Sequence, residues 1–292
     1  MDTNIFNYLK KLGMTSDTTR TIFHEQTRDK DNLIVWRDEI SGVIYIDGYY
    51  VGDNHYKNAV NADILTATKA PVVNFQDHKD NQRRLSTLLK LVSGKTVVDF
   101  GCGAASFLKS VKPHCEKVIG VELRDQHLET ISNEKITCLS NLDEIAPKTI
   151  DVFCLFHVLE HLPRPWETLA IIRTKLKQDG VLILEVPHAK DFLLCTLKNE
   201  DFKKFTLWSE HLILHTRESL FRAVKDAGYS NIKISGVQRY PLSNHLNWLI
   251  EGKPGGHTST LSVIDGNCLT IAYENTLSRL DATDTLLAVV SK

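Results

Sequence analysis

The sequence is short of the features that mark several broad protein classes. It has six cysteines, and no two of them form a C-x-x-C pair, which argues against a zinc knuckle or a thioredoxin-like motif. Cys138 and Cys154 lie in apolar, strand-like runs, so buried free thiols of a reducing cytoplasm are expected. Glycine (15) and proline (8) are too scarce for a collagenous or low-complexity chain. Neither charge sign is in excess: 35 Lys and Arg against 36 Asp and Glu leave a net charge of -1. That balance argues against broad electrostatic binding to nucleic acid or to an anionic membrane. No apolar run approaches the roughly 18 residues of a membrane-spanning helix. The N-terminus carries Asp2 and no apolar stretch ahead of a small-residue cleavage site. It does not read as a secretory signal, and a cytoplasmic location is expected. What is present is ordinary for a globular protein: 292 residues, 42% hydrophobic and 24% charged. That is enough for a large core and gives a length prior of about two domains.

From residue 80 onward, strand-like and helix-like segments alternate. Seven strands are expected: Thr96–Phe100, Lys117–Val121, Lys135–Leu139, Ile150–Phe156, Val181–Val186, Ile232–Val237 and Thr285–Val290. Between them, amphipathic helices are expected over Arg83–Val92, Ala105–Val111, Arg124–Ile131, Trp166–Leu176 and Ser219–Ala227. Thr216 is the expected N-cap of the last helix, and Gly228 marks its end. Strands that alternate with helices imply right-handed βαβ units and a parallel, doubly wound α/β sheet. Residues 1–79 lack the alternation and hold two short strand candidates, Leu33–Trp36 and Gly42–Ile46. They read as an N-terminal extension or lid on a domain spanning 80–292. An insertion, 239–281, separates the last two strands.

The sharpest local signal is the run Val97-Val98-Asp99-Phe100-Gly101-Cys102-Gly103-Ala104-Ala105-Ser106. A strand enters Gly101-x-Gly103 and leaves as a helix. Glycines there let the backbone turn tightly and approach a ligand closely. Glu122 ends the next strand about twenty residues on, where an acid can hold ribose hydroxyls. The bland alternative is a tight βα turn with an incidental acid. A dinucleotide site calls for a third glycine, and Ser106 stands at that position. Asp99 would repel a pyrophosphate but could accept from an ammonium group. An NAD-dependent enzyme is therefore disfavoured, and a cationic amino-acid nucleoside suits the pocket better.

These residues resemble the first motif of class I S-adenosylmethionine-dependent methyltransferases: Asp99-x-Gly101-Cys102-Gly103, with Ala105 where the family often has a third glycine. Phe156-His157-Val158-Leu159-Glu160-His161-Leu162 resembles the segment after the fourth strand in the branch that includes the ubiquinone-biosynthesis O-methyltransferases. Gly180-x-Leu182-x-Leu184-x-Val186-Pro187 resembles the following strand. His211, Ser219-Leu220 and Ala227-Gly228-Tyr229 resemble a later stretch of that branch. The resemblance covers residues 80–238 plus the last strand. It implies a seven-stranded Rossmann-like methyltransferase sheet with S-adenosyl-L-methionine as cofactor. By position, Asp99, Gly101, Cys102 and Gly103 would meet the amino-acid end of the cofactor, and Glu122 the ribose. Asn141 and Leu142 would line the adenine, and Phe156 and His157 the sulfonium. The common acid of the adenine loop is not at Asn141; Asp143 lies two residues later.

If the acceptor is a hydroxyl, the protein must align it and take its proton. Histidine suits that task near neutral pH. His157, His161 and His188 follow strands whose C-terminal ends should face the ligand crevice, and they are the candidate catalytic residues. His161 and Glu160 have structural alternatives, capping or packing the start of the next helix. His211 and His215 are four apart and could share a helix face, but a third ligand is missing from the motif, so no metal is expected. The insertion adds Arg239, Tyr240, His245, Trp248 and a glycine-rich loop, Gly252-Lys253-Pro254-Gly255-Gly256-His257. Aromatic faces beside hydrogen-bonding groups would suit a sugar ring, although they equally suit a packed helix. Methyltransferases with such an extension and insertion resemble those of bacterial surface-polysaccharide pathways. The reading is thus O-methylation of a small-molecule acceptor, a saccharide or nucleotide sugar. A quinone-like aromatic hydroxyl is the alternative, and a non-catalytic S-adenosylmethionine-binding partner protein is a further one. An acceptor pocket lined by Arg239, His245 and Lys253 would favour the sugar, and an apolar one the quinone.

Overall fold

The computed structural model describes residues 4–58, 73–124, 127, 131 and 135–292. The N-terminal part holds α1 (Ile5–Lys11), β1 (Arg20–His24), β2 (Val35–Asp38), β3 (Ile44–Ile46) and α2 (Asp53–Asn58). There follow α3 (Val73–Val92), β4 (Thr96–Phe100), α4 (Ser106–Val111), β5 (Lys117–Val121), β6 (Thr137–Leu139), β7 (Ile150–Phe156), α5 (Pro165–Lys175) and β8 (Leu176–Pro187). The chain ends with α6 (Glu200–Thr206), β9 (Ile213–Leu214), α7 (Arg217–Asp226), β10 (Ser230–Val237), α8 (Leu242–Glu251), α9 (Asn267–Arg279) and β11 (Thr285–Ser291). Among the described residues no helix is long and apolar enough to cross a membrane.

The main sheet has seven strands in the order β10-β11-β8-β7-β4-β5-β6. This is the doubly wound Rossmann-like arrangement expected from the alternation. The pairs β4–β5, β4–β7, β5–β6 and β7–β8 are parallel. Their strands are buried on both faces, as parallel sheets require: Val97, Val98, Phe153, Leu155, Leu182 and Leu184 are all nearly sealed from solvent. The all-parallel expectation fails at β11, which runs antiparallel to both β8 and β10. The cause is the insertion. Val237 pairs with Thr285, so the chain leaves and re-enters the sheet at the same end, and the last strand must run back.

Element ends follow local chemistry. The expected third strand begins two residues late, because Lys135 sits in the left-handed region at φ 54°, which extended backbone excludes. The first helix starts ten residues before Arg83; its polar N-terminal half carries Asp80, which Arg239 grips from the far end of the sheet at 2.6 Å. At the end of α5, β8 takes over at Leu176, so Gly180 lies within a strand rather than stopping a helix. Thr216 caps α7 as expected, in a reciprocal pair with Ser219. The expected helix 124–131 lies, apart from residues 124, 127 and 131, outside the described residues.

The N-terminal segment forms a second, antiparallel sheet in the order β1-β2-β3-β9. The expected strands at Leu33–Trp36 and Gly42–Ile46 are β2 and β3 with shifted ends, and β1 is added. The fourth strand, β9, comes from the methyltransferase region: Ile44 pairs with Leu214 and Tyr45 with Ile213. Ile5, Leu9, Ile44 and Tyr45 share one buried cluster with Ala189, Leu194, Ile213 and Ala223. Each such aliphatic side chain contributes about 1.5–3 kcal/mol when fully buried, so the segment is welded to the main body by apolar contact.

Candidate active site

The turn after β4 is built for close approach. Gly101 has φ 74° and Gly103 φ 52°. A Cβ on Gly101 would stand 2.6 Å from Val158 Cγ2, whereas one on Gly103 would meet nothing within 4 Å. The first glycine is therefore needed for packing, and the second leaves an open cradle. Ala105 is also left-handed, at φ 56°, a conformation that costs an L-residue about 1–2 kcal/mol. Glu122 organises the loop. Its Oε2 accepts from the Gly103 amide at 2.8 Å, and its Oε1 from the Leu123 and Arg124 amides at 2.9 and 3.0 Å. A carboxylate has about four lone-pair sites, so roughly one remains for a ligand hydroxyl. Asp99 is 4% exposed, and burial pushes its carboxyl up to about 7 against the pull of Arg84. The Cys102 side chain packs over β5, where a Cβ on Gly120 would come within 2.7 Å of its sulfur.

Two cavities open at the C-terminal ends of the parallel strands. The smaller, about 290 Å³, is lined by Gly101, Glu122, Leu123, Val158, Tyr50, Tyr56, Trp208 and Glu210. The larger, about 610 Å³, is lined by Arg84, Phe156, Glu160, His188, His211, Arg239, Tyr240, His245 and Trp248, among others. His157 and His161 line both. Of the expected cofactor residues, Asp99, Cys102, Gly103, Asn141 and Leu142 are not in the lining of either. Asn141 is exposed and spends its side chain capping the 142–144 turn, with Glu144 returning to the Asn141 amide. Leu142 packs into the sheet core. These two side chains are not brought to the cavities as the adenine expectation required.

Burial dominates the charge state of the site. Glu160 is fully buried, neither carboxyl oxygen has a hydrogen-bond partner, and its pKa is pushed up to about 8. His157 has the left-handed φ of 56°, and its Nδ1 lies 3.4 Å from Glu160 Oε1. Burial, aided by Arg239 and Arg84, holds the His157 pKa well below the usual imidazole range. His161 is pushed down by burial and then by His211; its Nδ1 is 3.9 Å from Glu210 Oε2. Both imidazoles are neutral at pH 7 and able to accept a proton. His188 Nδ1 lies 3.0 Å from the Thr283 carbonyl. A carbonyl only accepts, so Nδ1 carries the proton and Nε2 the lone pair. That Nε2 has no hydrogen-bond partner, and burial lowers the ring to about 4.

His211 and His215 do not share a helix face, because 208–212 is a turn that leads into β9. His215 bonds Ser219 Oγ at 3.0 Å. His211 instead joins Glu160 and His161, with one ligand-type atom of each within 4.8 Å of the others. That is a donor set a divalent ion could span, in a place the i, i+4 spacing did not indicate. Sequence reasoning also missed an ion network under the site. Glu185 accepts from Arg83 at 2.7 and 3.0 Å and from Arg84 at 2.8 Å, and Arg84 lies 4.2 Å from the Phe156 ring centre. The only local signals were the Arg83-Arg84 doublet and the polar, aromatic run Trp208-Ser209-Glu210-His211. In the insertion, Arg239 and His245 reach the larger cavity, as do Pro254 and His257. Lys253 is not among the residues that line it and faces Glu251 at 3.8 Å. The glycine-rich loop does not present its amides as an anion cradle: Gly255 N–H donates to Asn244 at 2.9 Å.

Comparisons with known proteins agree with this geometry. A family model described as a methyltransferase domain matches residues 74–234. The ubiquinone biosynthesis O-methyltransferase of Burkholderia pseudomallei is 25% identical over 176 residues, covering 52% of this chain and 72% of that protein. The protein of the same name from Stutzerimonas stutzeri is 25% identical over 194 residues, covering 58% and 79%. Among solved structures, a SAM-dependent methyltransferase from Archaeoglobus fulgidus superposes with a TM-score of 0.51 at 18% identity, covering 74% of this chain and 94% of that one. One from Thermotoga maritima gives 0.51 at 18% identity, covering 76% and 96%. With a family model matched over more than half of its length, the chain belongs to the methyltransferase-domain family and is a methyltransferase that uses S-adenosylmethionine.

Proposed function

We propose that the protein methylates a hydroxyl of a saccharide acceptor. The observation that carries this is the wall of the larger cavity, where Arg239, Tyr240, Asn244 and His245 from the insertion stand beside Trp248. Hydrogen-bonding side chains around an aromatic face suit a polyhydroxylated ring. At about 610 Å³ the space exceeds a single monosaccharide. Both arginines of its lining are engaged, Arg84 with Glu185 and Arg239 with Asp80, which favours an uncharged glycan over a nucleotide diphosphate sugar.

The cofactor, when bound, supplies an activated methyl on a cationic sulfur. Asp99 would hold its ammonium, Gly101 and Gly103 its amino-acid chain, Glu122 its ribose, and Phe156 and His157 the sulfur side. His157 and His161 border both cavities, so the acceptor oxygen would meet the methyl between them. His157 Nε2 has no hydrogen-bond partner, and the ring is neutral; it would take the hydroxyl proton as the carbon–oxygen bond forms. His188 would help to shape the acceptor side, its Nε2 facing Asp281 at 3.8 Å. A quinone-like acceptor is the second reading, favoured by the apolar patch of Leu193, Leu194, Phe202 and Phe205 in the same cavity and by the name of the relatives. Incubation with labelled S-adenosylmethionine and two acceptor panels, glycans and catechols, separates them. Turnover on glycans alone supports the first reading, and turnover on catechols alone overturns it.

A further inference from the structure

The smaller cavity is closed by residues that the methyltransferase sheet does not supply. Tyr50 and Tyr56 come from the N-terminal segment, and Trp208 from the loop before β9. Their rings form a chain around the junction of the two cavities. Tyr50 and Tyr56 stack with centroids 6.2 Å apart. Tyr56 meets His161 edge-on at 6.1 Å, and His161 meets Trp208 edge-on at 6.3 Å. Glu210 lies beside Tyr56, anchored by His55 Nε2 at 2.8 Å. His157 and His161 line both cavities, so with the donor in the smaller and the acceptor in the larger, as proposed above, the methyl would pass at this junction. The donor sulfur is a cation there before transfer and a neutral thioether afterwards.

We propose that Tyr56, Trp208 and the Glu210 carboxylate form a cation-sensing wall for the donor sulfonium. Aromatic faces attract a cation through their quadrupole, most strongly where water is excluded. Glu210 adds a carboxylate on the same side, held by His55 at 2.8 Å, with Arg124 across the same cavity. During transfer the S–CH3 bond breaks and the O–CH3 bond forms. The hydroxyl proton leaves to a base, and the sulfur keeps the electron pair. The wall then faces a neutral product and loses its hold. The N-terminal segment thereby discriminates charged donor from spent product and favours product release. This rests on the placement of donor and acceptor proposed above, and not on the acceptor's identity.

A purely structural roof would hold both ligands alike, and calorimetry with S-adenosylmethionine and S-adenosylhomocysteine separates the cases. Wild type should bind the charged donor more tightly than the neutral product. Tyr56→Leu should weaken donor binding about tenfold and product binding less than twofold. Tyr56→Phe keeps the ring and should preserve the preference. Glu210→Gln keeps the shape, and should weaken the donor about threefold while leaving the product unchanged. The wall is refuted if Tyr56→Leu and Glu210→Gln, each with a wild-type melting curve, lower both affinities equally or neither. Should Tyr56→Leu not fold, Glu210→Gln and Trp208→Phe decide, the latter again preserving the preference. Gly101→Arg is the control and should abolish binding of both ligands. If wild type binds neither ligand, it is the donor assignment that fails, and the wall falls with it.

Discussion

Glutamate 185 sits fully buried at the end of β8 and accepts three arginine hydrogen bonds, at 2.7, 3.0 and 2.8 Å. Removing its charge by Glu185→Gln leaves two guanidinium groups without their counter-ion. Breaking a buried pair costs about 3–5 kcal/mol. The low end applies here, because the Arg83 and Arg84 side chains keep 24% and 11% of their exposure and Arg83 retains Asp80 at 3.3 Å. A loss of about 3 kcal/mol is expected, which at about 2 °C per kcal/mol lowers the melting temperature by roughly 6 °C. Urea unfolding of wild type and variant at pH 7 measures it. The pH dependence has a definite sign. Arg84 and Arg83 outweigh burial and hold Glu185 below its ordinary range. Its contribution is complete above the unfolded value of about 4.3 and is lost as pH falls below that. The gap between wild type and Glu185→Gln should therefore shrink below about pH 4. Replacing all three groups by apolar residues, Arg83→Met, Arg84→Met and Glu185→Leu together, should recover most of the loss. A difference under about 1 kcal/mol at pH 7, or one that widens in acid, would refute the reasoning.

If Asp99 holds the donor's ammonium as proposed, its carboxyl, held up at about 7 by burial, would have to ionise on binding. Affinity for S-adenosylhomocysteine should then fall by up to about tenfold per pH unit below 7 and level off above it; a flat calorimetric profile from pH 5.5 to 8 would oppose this. His157 should be replaced by asparagine rather than alanine, since its φ of 56° suits Asn. His157→Asn should lower kcat by about a hundredfold or more while product affinity measured by calorimetry stays within about threefold. Displacement of a methyl from a sulfonium needs no Lewis acid, so the cluster of Glu160, His161 and His211 is expected to work without a metal. Elemental analysis should find no stoichiometric divalent ion, and chelator should leave turnover unchanged; a metal that co-purifies and restores activity would reassign Glu160, His161 and His211.

Much of the main sheet was legible because its signals are local. β4, β5 and β7 begin and end where the apolar runs do, and the glycine turn sits where it must. The direction of β11 was not legible, since hydrophobic period reports burial and not polarity of the chain. Nor were the pairings of Arg84 with Glu185 and Arg239 with Asp80, which span 101 and 159 residues and leave no spacing to read. β1 went unseen because its alternation is weak; Ile22 is 54% exposed. The local role of Asn141 was legible: an Asn followed three residues later by Glu144 is a capping box, and the structure uses it as one. Tyr50 and Tyr56 could not be placed, because only the fold brings the N-terminal segment over the glycine turn.

The two-residue strand β9 has a consequence for how this protein can be divided. One edge pairs with β3 of the N-terminal sheet, and the residue after it, His215, bridges to His188 at the end of β8. A shortened chain starting at residue 80 would keep the whole seven-stranded sheet yet strip β9 of its partner. It would uncover Ile213, Leu194 and Ala223, now sealed against Ile44, Tyr45 and Leu9. An open strand edge beside a fresh apolar face invites self-association. Such a fragment should fold its nucleoside-binding half and precipitate through the other.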